Sequence, residues 1–164
     1  MKHVFVVDAR SLSYQQWKID AILDSIGQYF RKQKRAYFSV YMSRYRRHAM
    51  TLINLEVKNI SPGRNIRVYA VGGREIFYDC INAAAHYPNV EITAVSYSKI
   101  NDFLYIFGED KAELFKDIPS LAEGTAYPAD IIRWGINYAI NIFRTPKFWG
   151  NTKLHGRRGT ASAI

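Results

Sequence analysis

The chain has 164 residues, of which 48% are apolar and 23% charged, with a single cysteine and a formal net charge of +9. These values fit one globular domain, or one domain with a piece of another, and exclude a disordered tail protein, a collagen-like chain and a disulfide scaffold. The charge is uneven: Arg144, Lys147, Lys153, Arg157 and Arg158 face no acidic residue after Phe143, so this tail carries +5.

Cys80 has no partner for an internal disulfide, which suits a reducing, cytoplasmic location. No run of about 18 apolar residues is present, so no transmembrane helix is expected. The run from Val4 to Val7 is too short for a signal peptide.

Residues 3–7 (HVFVV) read as a buried strand closed by Asp8 and Ser11. Trp17, Ile19, Ile22, Leu23, Ile26, Tyr29 and Phe30 then recur at spacings of three and four, predicting an amphipathic helix over 14–32, with Ser11 or Ser13 as cap. Residues 36–42 (AYFSVYM) form a second strand. Ser43 is placed to cap a helix over about 46–59 that buries Ala49, Leu52, Ile53 and Val57. Ser61-Pro62-Gly63 marks a turn. A third strand, 66–71 (IRVYAV), runs directly into Gly72-Gly73 and a helix over about 74–86 carrying Ile76, Phe77, Cys80, Ile81 and Ala84 on one face. Residues 90–97 are a fourth strand, and a short helical pattern runs from Asp102 to Phe107 before Gly108. Residues 109–128 read as a polar, irregular connection. Residues 129–134 and 137–143 read as a hairpin around Gly135-Ile136. The segment 144–164, rich in glycine and small residues, is expected to be a poorly ordered basic tail.

Strands alternating with helices predict a three-layer, Rossmann-like α/β fold, with a parallel sheet and helices on both faces. The predicted division is 1–128 as the α/β domain, 129–143 as the start of a second β domain, and 144–164 as tail. Ligands of such sheets sit at the carboxyl ends of the strands. Gly72-Gly73, between a strand and a helix, allows close backbone approach, and the helix start offers N–H groups and a positive dipole end to a phosphate. A tight turn needs glycine as well, so the pair alone leaves both readings open.

The segment VYAVGGREIFYDCINAA resembles the nucleotide-binding core of the diacylglycerol kinase catalytic domain family. Gly72 and Gly73 match the start of that family's Gly-Gly-Asp-Gly-Thr loop. Asp79 stands at its Glu, and Asn82 at its later Asn. Asn101, Asp102 and Phe103 match the end of its Gly-Thr-Gly-Asn-Asp-Phe segment. Ser43, His48 and Ala49 are similar to its Thr and His-Ala after the second strand, and Asp130 to Asn141 to its passage into a second domain. The resemblance covers roughly residues 3–143. It implies ATP as ligand, with Gly72, Gly73, Arg74, Asn82, Asn101 and Asp102 as the binding residues, and a lipid hydroxyl at a membrane surface as phosphate acceptor.

Departures from the pattern bear on the reaction. Arg74, Glu75 and Ile76 replace the Asp-Gly-Thr that serves phosphates and Mg²⁺ in the family, and Lys99 and Ile100 alter the second loop. An arginine can pair with phosphate but cannot ligate Mg²⁺, and the family's catalytic base lies in its second domain. The chain therefore reads as a domain that keeps the fold without catalysing the transfer. No residue is assigned a catalytic or metal-binding role. The alternative is a nucleotide-sensing or protein-assembly module, in which Arg74 or Lys99 neutralises Glu75 or Asp102 and the 129–143 hairpin takes a partner strand or a second copy. Asp102 also reads as a simple helix cap. The four histidines show no metal-ligand spacing, and Cys80, on an apolar helix face, reads as an inert thiol. The basic clusters at 31–35 and 44–47 read first as a solvated helix end and a loop, and also suit phosphate, anionic lipid or nucleic acid, the last being the least specific fit.

Overall fold

The computed structural model describes residues 1–12, 16–33, 37–97, 109–139 and 156–159. Four parallel strands form the main sheet: β1 (Lys2–Asp8), β2 (Tyr37–Ser43), β3 (Ile66–Val71) and β4 (Val90–Val95), in the order β2-β1-β3-β4. Their register aligns the carboxyl ends: Asp8 lies opposite Ser43, Val7 opposite Val71, and Val71 opposite Val95. All six residues of β3 are buried, as an apolar run in a sheet covered on both faces must be.

Two sets of helices cover the sheet. On one face, Phe5 and Tyr69 stack at 4.1 Å between ring centroids. Phe30, near the end of α2 (Gln16–Lys32), packs against Phe5, His3 and Phe38 at 5.6, 4.9 and 5.0 Å. The same face carries Arg67, whose Nη1 donates to the carbonyls of Leu121 and Ala122 in α5 (Ile118–Glu123) at 2.9 and 3.0 Å. On the other face, α3 (His48–Asn59) and α4 (Arg74–Ala84) pack side by side. Glu56 of α3 accepts hydrogen bonds from Lys2 of β1 and Tyr41 of β2. The fold is thus an α/β sandwich around a parallel sheet, as the alternation of strands and helices predicts.

Local differences have physical causes. A single-turn helix, α1 (Ala9–Leu12), precedes α2, which is described from Gln16. Trp17, expected on the apolar face, is 68% exposed. The Ser43 cap does not form. Ser43 is the last residue of β2, and α3 starts after Arg47, which adopts a left-handed φ of 65°. The connection expected to be irregular is a 3-10 helix (Glu109–Lys116) followed by α5. Its Phe115, Ile118 and Leu121 are buried in the core. The helix expected over 102–107 lies outside the described residues.

A second sheet holds β5 (Ala129–Trp134), β6 (Asn137–Ala139) and β7 (Gly156–Gly159) in the antiparallel order β6-β5-β7. The hairpin turns at Gly135, with φ 59°. β7 lies inside the segment expected to be a disordered tail. Asp130 sits opposite Arg158 and Ile132 opposite Gly156, so the open edge of β5 is what gives this glycine-arginine stretch its extended form.

Candidate functional site

The carboxyl edge of the parallel sheet gathers the chemistry. At the tip of β3, Gly72 takes φ 145°, a conformation natural to glycine and strained for any residue with a Cβ. Its own N–H is committed to the Val95 carbonyl at 3.1 Å, which fixes the turn against β4. Gly73 then caps α4 in an extended conformation without a side-chain hydrogen bond. Arg74 and Glu75 occupy the exposed first turn. A carboxylate here is favoured by the helix dipole.

One strand away, Asp8 ends β1 and is buried. Its Oδ1 accepts from the Arg10 backbone N–H and from Arg10 Nε, both at 3.1 Å. The same guanidinium lies 3.7 Å from Glu75 through Nη2. Arg10 therefore bridges the end of β1 to the start of α4 across the Gly72-Gly73 turn. The hydrogen bond that Arg10 donates to Asp8 raises the pKa of the guanidinium further, so this cation is permanent. Arg10 is thus a partner of Glu75; Lys99 lies outside the described residues.

Asp79, one turn along α4, accepts the Arg47 N–H through Oδ2 at 2.8 Å and so anchors the start of α3 to α4. Ser43, buried opposite Asp8, has an Oγ without a hydrogen-bond partner among the described residues. Asn82 points away from this edge in its contacts. Its Nδ2 donates to the carbonyls of Tyr78 and Tyr138, each at 2.8 Å, and its Oδ1 accepts the Tyr138 N–H at 2.7 Å. The carboxamide is thereby used to fasten β6 to α4. Of the six residues expected to bind nucleotide, the structure brings Gly72, Gly73 and Arg74 together and puts Asn82 at the hairpin; Asn101 and Asp102 lie outside the described residues.

The other reactive groups are quiet. Cys80 is fully buried, and burial pushes its thiol pKa well up. Among the described residues no group of three His, Cys, Asp or Glu side chains is placed to hold a metal. Nor, among them, is any helix long and apolar enough to cross a membrane. A shallow depression of about 570 Å³, lined by Met1, Ser61, Pro62, Gly63, Arg64 and Asn65, lies at the opposite, amino-terminal edge. It takes in none of the residues named for the carboxyl edge.

No protein-family model and no curated protein matches the chain. Solved structures do. One, described as "a putative diacylglycerol kinase from Bacillus anthracis str. Sterne", superposes with a TM-score of 0.63 at 13% identity, over 84% of this chain and 44% of that one. A second structure with the same description gives 0.60 at the same identity and coverage. The chain shares their fold. It spans less than half the length of those proteins.

Proposed function

We propose that the chain is a diacylglycerol kinase-like nucleotide-binding domain that holds a nucleoside phosphate such as ATP without Mg²⁺ and does not by itself transfer the phosphoryl group. The observation that carries this reading is the Gly72-Gly73 turn opening α4, whose φ at Gly72 only glycine adopts without strain, with Arg10 fixed beside it. The phosphates would rest on the N–H groups of the first turn of α4, with Arg10 and Arg74 supplying positive charge, as phosphate groups favour at a helix start. Asn101 and Asp102 would complete the pocket from the loop after β4. Asn82 leaves the ligand set, because its amide serves the hairpin.

Binding rather than transfer is supported by the donor set. Mg²⁺ requires oxygen ligands in near-octahedral array. Of the acidic residues described at this edge, Asp8 and Glu75 both face Arg10, and Asp79 accepts the Arg47 N–H. Phosphoryl transfer depends on electrostatic positioning by metal and cation together. The residues described here offer only the cation. A nucleotide held this way would be sensed. Phosphorylation of a lipid hydroxyl would need groups beyond those described.

Calorimetric titration of the chain with ATP, with and without Mg²⁺, tests the proposal. Saturable binding that is unchanged by Mg²⁺ and weakened several-fold by Arg10→Ala is the expected outcome. Binding that requires Mg²⁺, or none at millimolar ATP, overturns it. A second reading, an assembly module, draws on the β5–β6 hairpin, whose tip residue Ile136 is 77% exposed. Light scattering that shows a dimer lost on Ile136→Ser would favour it.

A further inference from the structure

The main sheet has two outer strands, β2 and β4, and they are finished differently. β4 is buried at five of its six positions. The chain returns across its end, where the Ser96 N–H donates to the Phe115 carbonyl at 3.1 Å. β2 is buried only at Ser43, the last of its seven residues. Among the described residues no strand pairs with its outer edge.

Edge strands are commonly protected by a charged side chain, a proline, a bulge or shortness. β2 (YFSVYMS) has no charge and no proline, and its register with β1 runs unbroken from Tyr37 opposite Lys2 to Ser43 opposite Asp8. Its two faces differ. Phe38 stacks on Phe30 of α2 at 5.0 Å, and the alternation of a strand puts Val40 and Met42 on the same face. Tyr41 donates to Glu56 of α3, and Ser39 shares that face. The open edge thus offers an apolar row on one side and a hydroxyl row on the other.

Positive charge stands at both ends instead. Arg31, Lys32, Lys34 and Arg35 precede β2 in sequence, Arg44, Arg46 and Arg47 follow it, and no acidic residue occurs between Asp24 and Glu56. The three arginines after β2 are exposed on a fixed turn: the Arg44 N–H donates to His48 Nδ1 at 3.2 Å, and the Arg47 N–H donates to Asp79.

We propose that β2 accepts an extended segment of a partner protein by strand addition, the segment being acidic at both ends and alternating apolar residues with Ser or Thr between them. Main-chain hydrogen bonds to the free edge supply affinity, and alternate side chains supply specificity. The flanking charges select the partner and speed its arrival. They also exclude a second copy of this chain. Antiparallel pairing of two β2 strands sets the basic residues after one strand beside those before the other, and parallel pairing sets each cluster beside itself. The same charges thus guard an otherwise unprotected edge against self-association. A nucleic-acid backbone would meet both clusters but has no strand edge to pair with the seven uncharged residues between them. The proposal is independent of nucleotide binding.

Fluorescence anisotropy of the full chain with labelled synthetic peptides tests it. The probe is Asp-Glu-Val-Thr-Val-Thr-Val-Thr-Val-Asp-Glu, and a control peptide carries Lys in place of each acidic residue. The acidic probe should bind saturably, and the control about tenfold or more weakly. Hydrogen exchange at the β2 amides should slow on binding, with the β5–β6 amides unchanged. Arg44→Glu/Arg46→Glu alters exposed side chains only, so circular dichroism should show it folded, and it should reverse the preference between the two peptides. As a second measurement, backbone N-methylation of three consecutive central residues keeps the charge and side chains of the probe but removes donors from both its edges, and should abolish binding. Equal affinity for the two peptides, binding that survives N-methylation, protection confined to residues outside β2, or no binding at millimolar probe each overturns the proposal. A dimer in light scattering with the β2 amides protected in the absence of peptide overturns it in favour of a second copy. A single-stranded oligonucleotide that binds more tightly than the probe, and is lost on the arginine substitutions, overturns it in favour of nucleic acid.

Discussion

Arg67 shows how one residue can organise a face of this fold. Its side chain is 4% exposed, an expensive place for a charge unless every donor is used. Glu91 on the neighbouring strand accepts from Nε at 2.9 Å and from Nη2 at 2.8 Å. Nη1 reaches the Leu121 and Ala122 carbonyls, which α5 leaves unpaired in its last turn. Arg67→Leu leaves a half-buried carboxylate and two carbonyls without donors. Such breaks cost about 3–5 kcal/mol, and urea unfolding should show a loss of that order. Arg67→Lys should fall between, because one ammonium cannot copy the planar fork. At this scale the sequence was informative for Gly72, whose position between strand and helix already called for glycine. It was silent on Arg10. The pairing of Arg10 with Glu75 joins residues far apart in the chain, and only the adjacency of β1 and β3 creates it.

At the scale of elements, legibility followed periodicity. β1 and β3 stood out as apolar runs, β4 lay within the strand read over 90–97, and α4 stood out as a stripe at three- and four-residue spacing, because burial dictates such patterns. The 3-10 helix and α5 carry the same stripe in Phe115, Ile118 and Leu121, but Glu109, Asp110, Lys111, Glu113, Lys116 and Asp117 dilute it. β7 has no stripe at all. Its Gly-Arg-Arg-Gly sequence is extended because β5 offers an open edge, which is tertiary context rather than propensity. The hairpin was visible, yet its attachment was not. Asn82 and Tyr138 share two of the hydrogen bonds described above, and His86 adds an edge-on ring contact to Tyr138 at 5.4 Å. Asn82→Ala should therefore release β6 from α4. Hydrogen exchange at the Tyr138 amide should accelerate by at least tenfold, while the amides of β3 keep their protection and ATP affinity is unchanged. Loss of ATP binding with normal Tyr138 protection would return Asn82 to the nucleotide site.

For the whole molecule, the buried ionisable groups on the two faces of the sheet set how stability responds to acid. On the α2 face, His3 Nδ1 and the Tyr69 hydroxyl share a hydrogen bond of 2.7 Å, and Phe30 packs on the imidazole. Burial, with the charge of Arg67, holds the His3 pKa down at about 4. An unfolded histidine titrates near 6.5. Between these values the unfolded chain takes up a proton that the folded chain refuses, so stability falls as pH drops from about 6.5 to about 4 and this contribution then levels off. On the α3 face, burial would raise the Glu56 pKa, but the hydrogen bonds from Lys2 and Tyr41 outweigh it and lower it. A carboxylate with a lowered folded pKa stabilises above its unfolded value near 4.3 and loses that contribution as the pH falls through the folded one. Two acid steps are therefore expected, the first from His3 and the second, at lower pH, from Glu56. His3→Gln keeps a partner for the Tyr69 hydroxyl and cannot titrate. Urea midpoints measured from pH 7 to pH 3 should fall less steeply between pH 6.5 and 4 in His3→Gln than in the parent chain, with the drop at lower pH retained. Glu56→Gln should show the reverse. An unchanged slope in His3→Gln would mean that His3 accepts its proton in the folded state, and that the Tyr69 contact opens before the sheet does.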